Sequence, residues 1–271
     1  MPELPEVETV ARQLSPLLAG RTLRELRVFD RKLEPLDASA VVGRTVRSVR
    51  RRGKHVVIEL SRPRAVAIET VLLVHLRMTG RLLWRDDGSA PHDRRHVRAA
   101  LIFDTGAVDY VDPRRFGTIR IGAPEGLGSL CGLEPLDLAF DARRLTAILS
   151  GSRQEIKPWL LRQDRIAGIG NIYACEVLHA ARLSPWRRVG TLTAAEVRRL
   201  HGAIRRTLAA AIELCGTTFS DFQDVRGRSG GFARRLRVYG RQGLPCPACG
   251  GPVARVAQQG RGTFHCPRCQ A

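Results

Sequence analysis

The sequence predicts an α+β chain of two domains: an antiparallel β-sandwich or barrel, then helices and a small cysteine-rich tail. Three observations predict it. Between residues 22 and 121, short runs rich in Val, Ile and Leu alternate with Gly, Pro, Asp and charged turns at regular spacing, the pattern of an antiparallel sandwich or barrel. From about residue 141, apolar residues recur every three or four positions, the helical period. The closing stretch carries two Cys-x-x-Cys pairs. A length of 271 residues is comfortable for two domains.

Residues 5–20 read as a helix: Val7, Val10, Leu14, Leu17 and Leu18 share a face, and Gly20 stops it. Strands follow at 22–29, 45–50, 55–60, 65–76, 81–84, 97–103, 107–111 and 118–121. The glycine- and proline-bearing stretch that follows reads as a linker, so the expected domains are a β-sandwich over 1–122, a linker over 123–140, a helical domain over 141–235 and a finger over 236–271. Helices are expected at 141–150, 157–164, 171–181 and 193–214. The last is the clearest, with Thr193 and Glu196 forming a capping box ahead of an apolar stripe. Residues 217–234 are polar and glycine-rich, which suits a mobile loop.

The net charge is +19 and the pI about 11.2, which points to a polyanionic partner, nucleic acid before a membrane surface. Of the 45 basic residues only Lys32, Lys54 and Lys157 are lysine, so each is a place where a compact or deprotonatable charge could matter. No apolar run approaches a membrane span and no signal peptide is expected. Seven cysteines, four of them clustered, suit a reducing compartment and a metal site.

Cys246-Pro-Ala-Cys249 and Cys266-Pro-Arg-Cys269, with sixteen residues between them, have zinc-site spacing. Four thiolates make a closed tetrahedral site, hence one structural zinc, without which so small a tail cannot fold. Between the pairs a β-hairpin is expected, with Arg261 at its tip as a functional or merely solvated arginine. Gly168-Ile169-Gly170-Asn171 precedes a helix, with Asn171 as N-cap, which suits phosphate binding or a plain cap between packed helices. Asp112-Pro113-Arg114-Arg115-Phe116-Gly117 reads as a loop between strands. Its arginines and aromatic suit nucleic acid, unless Phe116 tucks under the sheet. Met78 reads as core. Arg51-Arg52-Gly53-Lys54-His55 reads as a basic turn with Lys54 the residue to test.

Met1-Pro2-Glu3-Leu4-Pro5-Glu6 opens the chain. Once Met1 is trimmed, Pro2 carries a secondary α-amine titrating near pH 8, against about 10.4 for lysine, so it can act as a nucleophile without a special pocket. Glu3 and Glu6 lie within one helical turn, where they can pass protons. Proline and glutamate are equally what any helix start favours, and these residues alone leave both readings open.

Taken together, Pro-Glu-Leu-Pro-Glu at the start, Asp-Pro-Arg-Arg-Phe-Gly, Gly-Ile-Gly-Asn-Ile-Tyr and the four-cysteine finger resemble the formamidopyrimidine-DNA glycosylase family over the whole chain and in the same order. The opening is closer to the oxidised-purine branch than to the endonuclease VIII branch. The resemblance implies an N-terminal β-sandwich with flanking helices, a helix–two-turn–helix domain and a zinc finger, with double-stranded damaged DNA bound in a basic cleft. It implies a monomeric, cytoplasmic, nucleoid-associated bacterial repair enzyme that flips the damaged nucleotide out of the duplex, excises 8-oxoguanine and formamidopyrimidines through a Schiff base, and completes β- and δ-elimination.

By the same resemblance Pro2 is the nucleophile, Glu3 the acid that opens the sugar and Glu6 a second acidic residue nearby. Lys54 and Arg261 assist elimination, and both contact phosphate. Met78, Arg114 and Phe116 fill the hole left by the flipped base. Arg115 and Arg153 are expected on DNA with them, and His96, Lys157 and Asn171 on the phosphates. Three departures are visible. Arg226-Gly227-Arg228-Ser229-Gly230-Gly231 replaces the usual lesion-covering loop, Arg77 stands where glycine commonly precedes the intercalating methionine, and 91–96 is unusually basic. The competing readings are a non-catalytic zinc-ribbon nucleic-acid-binding protein, which leaves Pro2, Glu3 and Glu6 without a task, and the same chemistry directed at oxidised pyrimidines.

Overall fold

The computed structural model describes residues 1–33, 36–65, 67–92 and 95–270. Asp93 and Arg94 of the basic segment 91–96, Val66 of the strand expected at 65–76 and Ala271 at the end of the finger lie outside the described residues. The chain forms two compact units, Met1–Leu130 with Leu214–Gly231, and Cys131–Glu213 with Phe232–Ala271. Residues 214–231 thus group with the sandwich and not with the helix that precedes them.

The first unit opens with α1, Leu4–Leu18. A capping box, in which Glu3 and Glu6 exchange side-chain and backbone hydrogen bonds, starts it. Val7, Val10, Leu14 and Leu18 are fully buried along one face. Eight strands follow among the described residues: β1 Leu23–Val28, β2 Thr45–Arg52, β3 His55–Ser61, β4 Thr70–His75, β5 Arg81–Arg85, β6 Val97–Phe103, β7 Ala107–Val111 and β8 Thr118–Gly122. They make two antiparallel four-stranded sheets, ordered β1-β6-β7-β5 and β2-β3-β4-β8. One apolar core joins α1 to residues of both sheets, among them Leu26, Val56, Leu72, Leu82, Leu101 and Tyr110. Phe222 and Val225 from the returning segment complete it. The sandwich expectation holds: β6 and β7 match the expected bounds, and other strand ends move by up to five residues.

In the second unit the expected linker is only partly irregular. Gly132 and Leu133 donate to the carbonyls of Gln163 and Arg165, and Leu133 accepts from Ala167. The helices are α2 Ala142–Leu149, α3 Ile156–Leu160, α4 Asn171–Ala181 and α5 Ala194–Glu213. The helix expected at 157–164 ends early: Leu161 caps α3, and irregular backbone follows. Helix α4 is buried on nearly every side, from Ile172 to Ala181, which makes it the unit's spine. The capping box of Thr193 and Glu196 is present. β9 Ala254–Gln258 and β10 Arg261–His265 form the finger hairpin. No helix among the described residues is long and apolar enough to cross a membrane.

Candidate active site

Pro2 is buried immediately before α1, preceded by the exposed Met1. Glu3 and Glu6 are buried beside it, 3% and 1% exposed. Glu6 does more than cap. Its Oε2 accepts from the Glu3 N–H at 2.8 Å, and its Oε1 accepts from the Thr217 N–H at 2.7 Å. One carboxylate thus fastens the start of α1 to the root of segment 217–231. Gly216, at φ 79°, has to be glycine: a Cβ there would lie 2.7 Å from Glu6 Oε1.

Segment 217–231 has a second anchor on α1. Asp224 accepts from the N–H groups of Arg226 and Arg228, both at 2.9 Å, and from Gln13 Nε2 at 3.1 Å. The Val225 carbonyl takes the Trp84 N–H at 2.8 Å. The expectation of a loop mobile over 217–234 is corrected for 222–228, which these bonds and the apolar contacts of Phe222 and Val225 hold.

Lys54 sits in the two-residue turn between β2 and β3, after Gly53 at φ 57°. It is not a solvated turn residue, since only 7% of it is exposed. Arg51 braces the turn, reaching Glu8 of α1 at 2.8 Å and the Gly53 carbonyl at 3.1 Å. The His55 ring abuts His75 edge-on at 4.7 Å. Burial, then the charges of His55, Arg77 and Lys54, pushes His75 down to about 3, so it is neutral and its Nδ1 accepts the Arg77 N–H at 3.0 Å.

Met78 is 38% exposed and Phe116 50%. Neither is core, and Phe116 does not tuck under the sheet. The Arg114 guanidinium lies over the Phe116 ring at 4.8 Å. Arg115 stands apart from this pair. Its guanidinium forms a two-pronged ion pair with Asp30, at 2.6 and 2.5 Å, which draws the Asp30 carboxyl down to about 2. His96 is half-buried and its carbonyl accepts from the Asp112 N–H.

In the second unit, Lys157 is 1% exposed and its Nζ donates to Thr263 Oγ1 at 2.8 Å. Asn171 corrects the N-cap expectation. Gly170 is the cap, extended at φ −127°, and Asn171 is the first helical residue. Its Nδ2 donates to the Gly262 carbonyl at 3.0 Å, while its buried Oδ1 has no partner among the described residues. Arg261 begins β10, exposed, with Gln259-Gly260 as the turn before it. Lys157, Arg162, Gln258 and Arg261 line one shallow cavity of about 200 Å³. Arg153 is exposed before α3.

The Sγ atoms of Cys246, Cys249, Cys266 and Cys269 lie within 4.8 Å of one another. Tetrahedral zinc with thiolates at about 2.3 Å sets sulfurs roughly 3.8 Å apart; here Cys246–Cys269 is 3.9 Å and Cys249–Cys266 3.4 Å. The donor set and its spacing fit zinc. Helix α4 braces the site. His179 is held neutral by burial, with a pKa pushed down to about 4, and its Nε2 lies 3.3 Å from Cys246 Sγ, the outer contact that orients a metal ligand. Glu176 accepts the N–H groups of Arg237, Val238 and Tyr239 at 2.8–3.0 Å.

Sequence reading passed over Asp30, Glu176, His179 and Asp224, and took Asp112 only as the start of a loop. The available signal was local: Glu176 stands inside an otherwise apolar helix, and Asp112 closes the apolar strand β7.

Residues 1–119 match the model of the formamidopyrimidine-DNA glycosylase N-terminal domain, 131–223 that of the formamidopyrimidine-DNA glycosylase H2TH domain, and 243–271 that of the zinc finger found in FPG and IleRS. The formamidopyrimidine-DNA glycosylase of Cereibacter sphaeroides is 43% identical, with all of both chains covered. That of Thermus thermophilus is 43% identical over all of this chain and 98% of its own. The crystal structure of the Thermus thermophilus MutM (Fpg) protein superposes with a TM-score of 0.86 at 42% identity, over 99% of this chain and 98% of that one. The Lactococcus lactis Fpg bound to abasic-site DNA gives 0.87 at 30% identity, over 99% of each.

Proposed function

The chain belongs to the formamidopyrimidine-DNA glycosylase family, and we propose that it is a bifunctional glycosylase and lyase that works on oxidised purines through Pro2. Membership makes it a DNA glycosylase of base excision repair that acts on damaged DNA. The observation that carries the finer reading is a buried Pro2 just ahead of α1, followed within four residues by two buried carboxylates, Glu3 and Glu6. The capping box uses both carboxylates but asks for no proline amine ahead of them.

Removal of Met1 frees the Pro2 amine. Its nitrogen attacks the sugar C1′, the bond from C1′ to the base breaks, and the base leaves with a proton. Glu3 gives a proton to the ring oxygen, the sugar opens and an iminium ion remains. That cation acidifies C2′–H, so loss of this proton expels the 3′ phosphate, and a second elimination expels the 5′ phosphate. Hydrolysis of the imine returns the amine. Glu6, with both oxygens accepting backbone N–H groups, positions the end of α1. Lys54, buried in its turn, and Arg261, on the finger, supply charge to the departing phosphates.

Met78, Arg114 and Phe116 fill the space left by the flipped nucleotide, repaying stacking worth a few kcal/mol. His96, Lys157 and Asn171 hold the backbone, Asn171 through the N–H groups at the start of α4, and Arg153 binds the DNA with them. Arg115 serves the loop through Asp30 and offers DNA only its exposed edge. The finger takes one zinc, which supplies fold and no reactive position. The protein acts as a monomer on double-stranded DNA, in the cytoplasm at the nucleoid.

The test is borohydride reduction in the presence of a duplex with 8-oxoguanine opposite cytosine. A covalent protein–DNA adduct is expected, lost in Pro2→Gly and when Met1 is retained. No adduct on any oxidised or abasic substrate would refute the reading, and stronger trapping on oxidised pyrimidines would redirect it to that lesion class.

A further inference from the structure

The two loops that carry the exposed trio are separate in sequence, yet one buried carboxylate joins them. Asp112 is 1% exposed. Its Oδ1 accepts the hydroxyl of Thr79 and, at 3.2 Å, the N–H of Arg114. Its Oδ2 accepts the N–H of Gly117 at 2.8 Å and the Tyr110 hydroxyl at 3.3 Å. Thr79, the neighbour of Met78, is itself 6% exposed, and its Oγ1 also receives the Arg114 N–H at 3.3 Å. Each end of the loop carrying Arg114 and Phe116 is therefore bonded to the same side chain that grips the turn after Met78.

The surrounding backbone leaves this junction no slack. A Cβ on Gly117 would lie 1.7 Å from the Tyr110 hydroxyl and 2.9 Å from the His75 carbonyl. A Cβ on Gly80 would lie 2.5 Å from the Leu76 carbonyl. Burial and Asp112 push the Tyr110 phenol up, so it stays a donor.

We propose that the Thr79–Asp112 junction is a positioning device that locks Met78, Arg114 and Phe116 into one rigid wedge, so that the two loops enter the base stack together. It rests on the void-filling reading of those three residues. A wedge held in advance spends no binding energy on ordering itself, and that saving is largest when a stacked, paired base has to be displaced. An abasic site, with no base to extract, demands less of it. The pair acts through the trio and touches no reacting atom.

The experiment is a double-mutant cycle read as the ratio of excision rate on paired 8-oxoguanine to lyase rate on a preformed abasic site. Thr79→Val removes the donor at nearly constant shape and should lower this ratio roughly tenfold, while Thr79→Ser, which keeps the hydroxyl, restores it. In a Met78→Ala/Phe116→Ala background, where no wedge remains to be positioned, Thr79→Val should leave the ratio where that background sets it. An equal fall in both backgrounds, or no fall in either, overturns the linkage alone. If the Met78→Ala/Phe116→Ala background itself keeps the full ratio, the void-filling reading falls and the linkage with it. Asp112→Asn serves as the second variant; unchanged ratios in both Thr79→Val and a folded Asp112→Asn would also overturn the proposal.

Discussion

In the first unit, the segments that carry Pro2, Met78 and Phe116 are fixed by buried carboxylates. Glu6, Asp112 and Asp224 each gather backbone N–H groups from two or more places and rest on a sandwich core of more than twenty buried apolar side chains. In the second unit, the finger that carries Arg261 has almost no core of its own. Its buried cluster is three cysteines and two valines, one of the cysteines lent by α4. Four thiolates, Glu176 and His179 replace the missing apolar surface. The difference teaches where each unit can fail. The first is expected to fail when an acceptor is withdrawn from a buried N–H, the second, on the proposed structural role of zinc, when the metal is.

Zinc removal breaks the comparison most severely. Structural zinc contributes on the order of 10 kcal/mol to folding such a module. A chelator, with zinc loss verified, should abolish hydrogen-exchange protection of the finger hairpin and weaken DNA binding by about a hundredfold or more, while amides of the sandwich keep their protection. Full DNA binding after verified zinc loss would contradict this.

Withdrawing single acceptors gives the next largest effect. Glu6→Ala orphans the Thr217 and Glu3 N–H groups, and Glu176→Ala orphans three on the stem of the finger. Each should cost about 2–4 kcal/mol. Denaturant melts should place the first loss in the sandwich unit and the second in zinc retention. A Glu176→Ala protein that keeps zinc as tightly as the parent would break the assignment.

Acid acts on the first unit through His75 and Asp30. Burial holds the His75 imidazole down to about 3 in the folded protein, against an ordinary 6.5. The unfolded chain therefore binds the extra proton below about 6.5, and stability falls as pH drops from there towards 3. The slope is at most roughly 1.4 kcal/mol per pH unit. Asp30, near 2 when folded against 3.8, adds a loss below about pH 4. His75→Gln should flatten the upper part of this decline in equilibrium melts while leaving the lower part.

The smallest effect sharpens one detail. Arg77 holds φ 52°, a left-handed conformation that costs a side-chain-bearing residue about 1–2 kcal/mol. Arg77→Gly should gain roughly half a kcal/mol after the entropy of glycine is subtracted, seen as a small rise in melting temperature. Destabilisation would mean that the Arg77 side chain has a partner worth more than the strain.

The strands, the long helices and the four thiolates were legible because each rests on a local rule: apolar period, capping pair or ligand spacing. Local rules failed where distant residues decide. Asn171 looks like a cap, but the extended Gly170 takes that role and frees Asn171 for Gly262. Met78 looks like core, but the turn held by His75 and Thr79 turns it outward. Arg115 reads as a loop-tip arginine, and no local rule reveals that Asp30, far away in sequence, pairs with it. The carboxylate hubs were illegible for the same reason: an Asp or Glu on paper is a surface residue until the backbone N–H groups that surround it are known.

The most direct test of the central claim is to locate the covalent bond. The borohydride-trapped complex on 8-oxoguanine duplex is digested with nuclease and protease and sequenced by mass spectrometry. The account predicts the sugar remnant on the α-nitrogen of Pro2, in a peptide lacking Met1. A remnant on Lys54, Lys157 or any other side chain would contradict it.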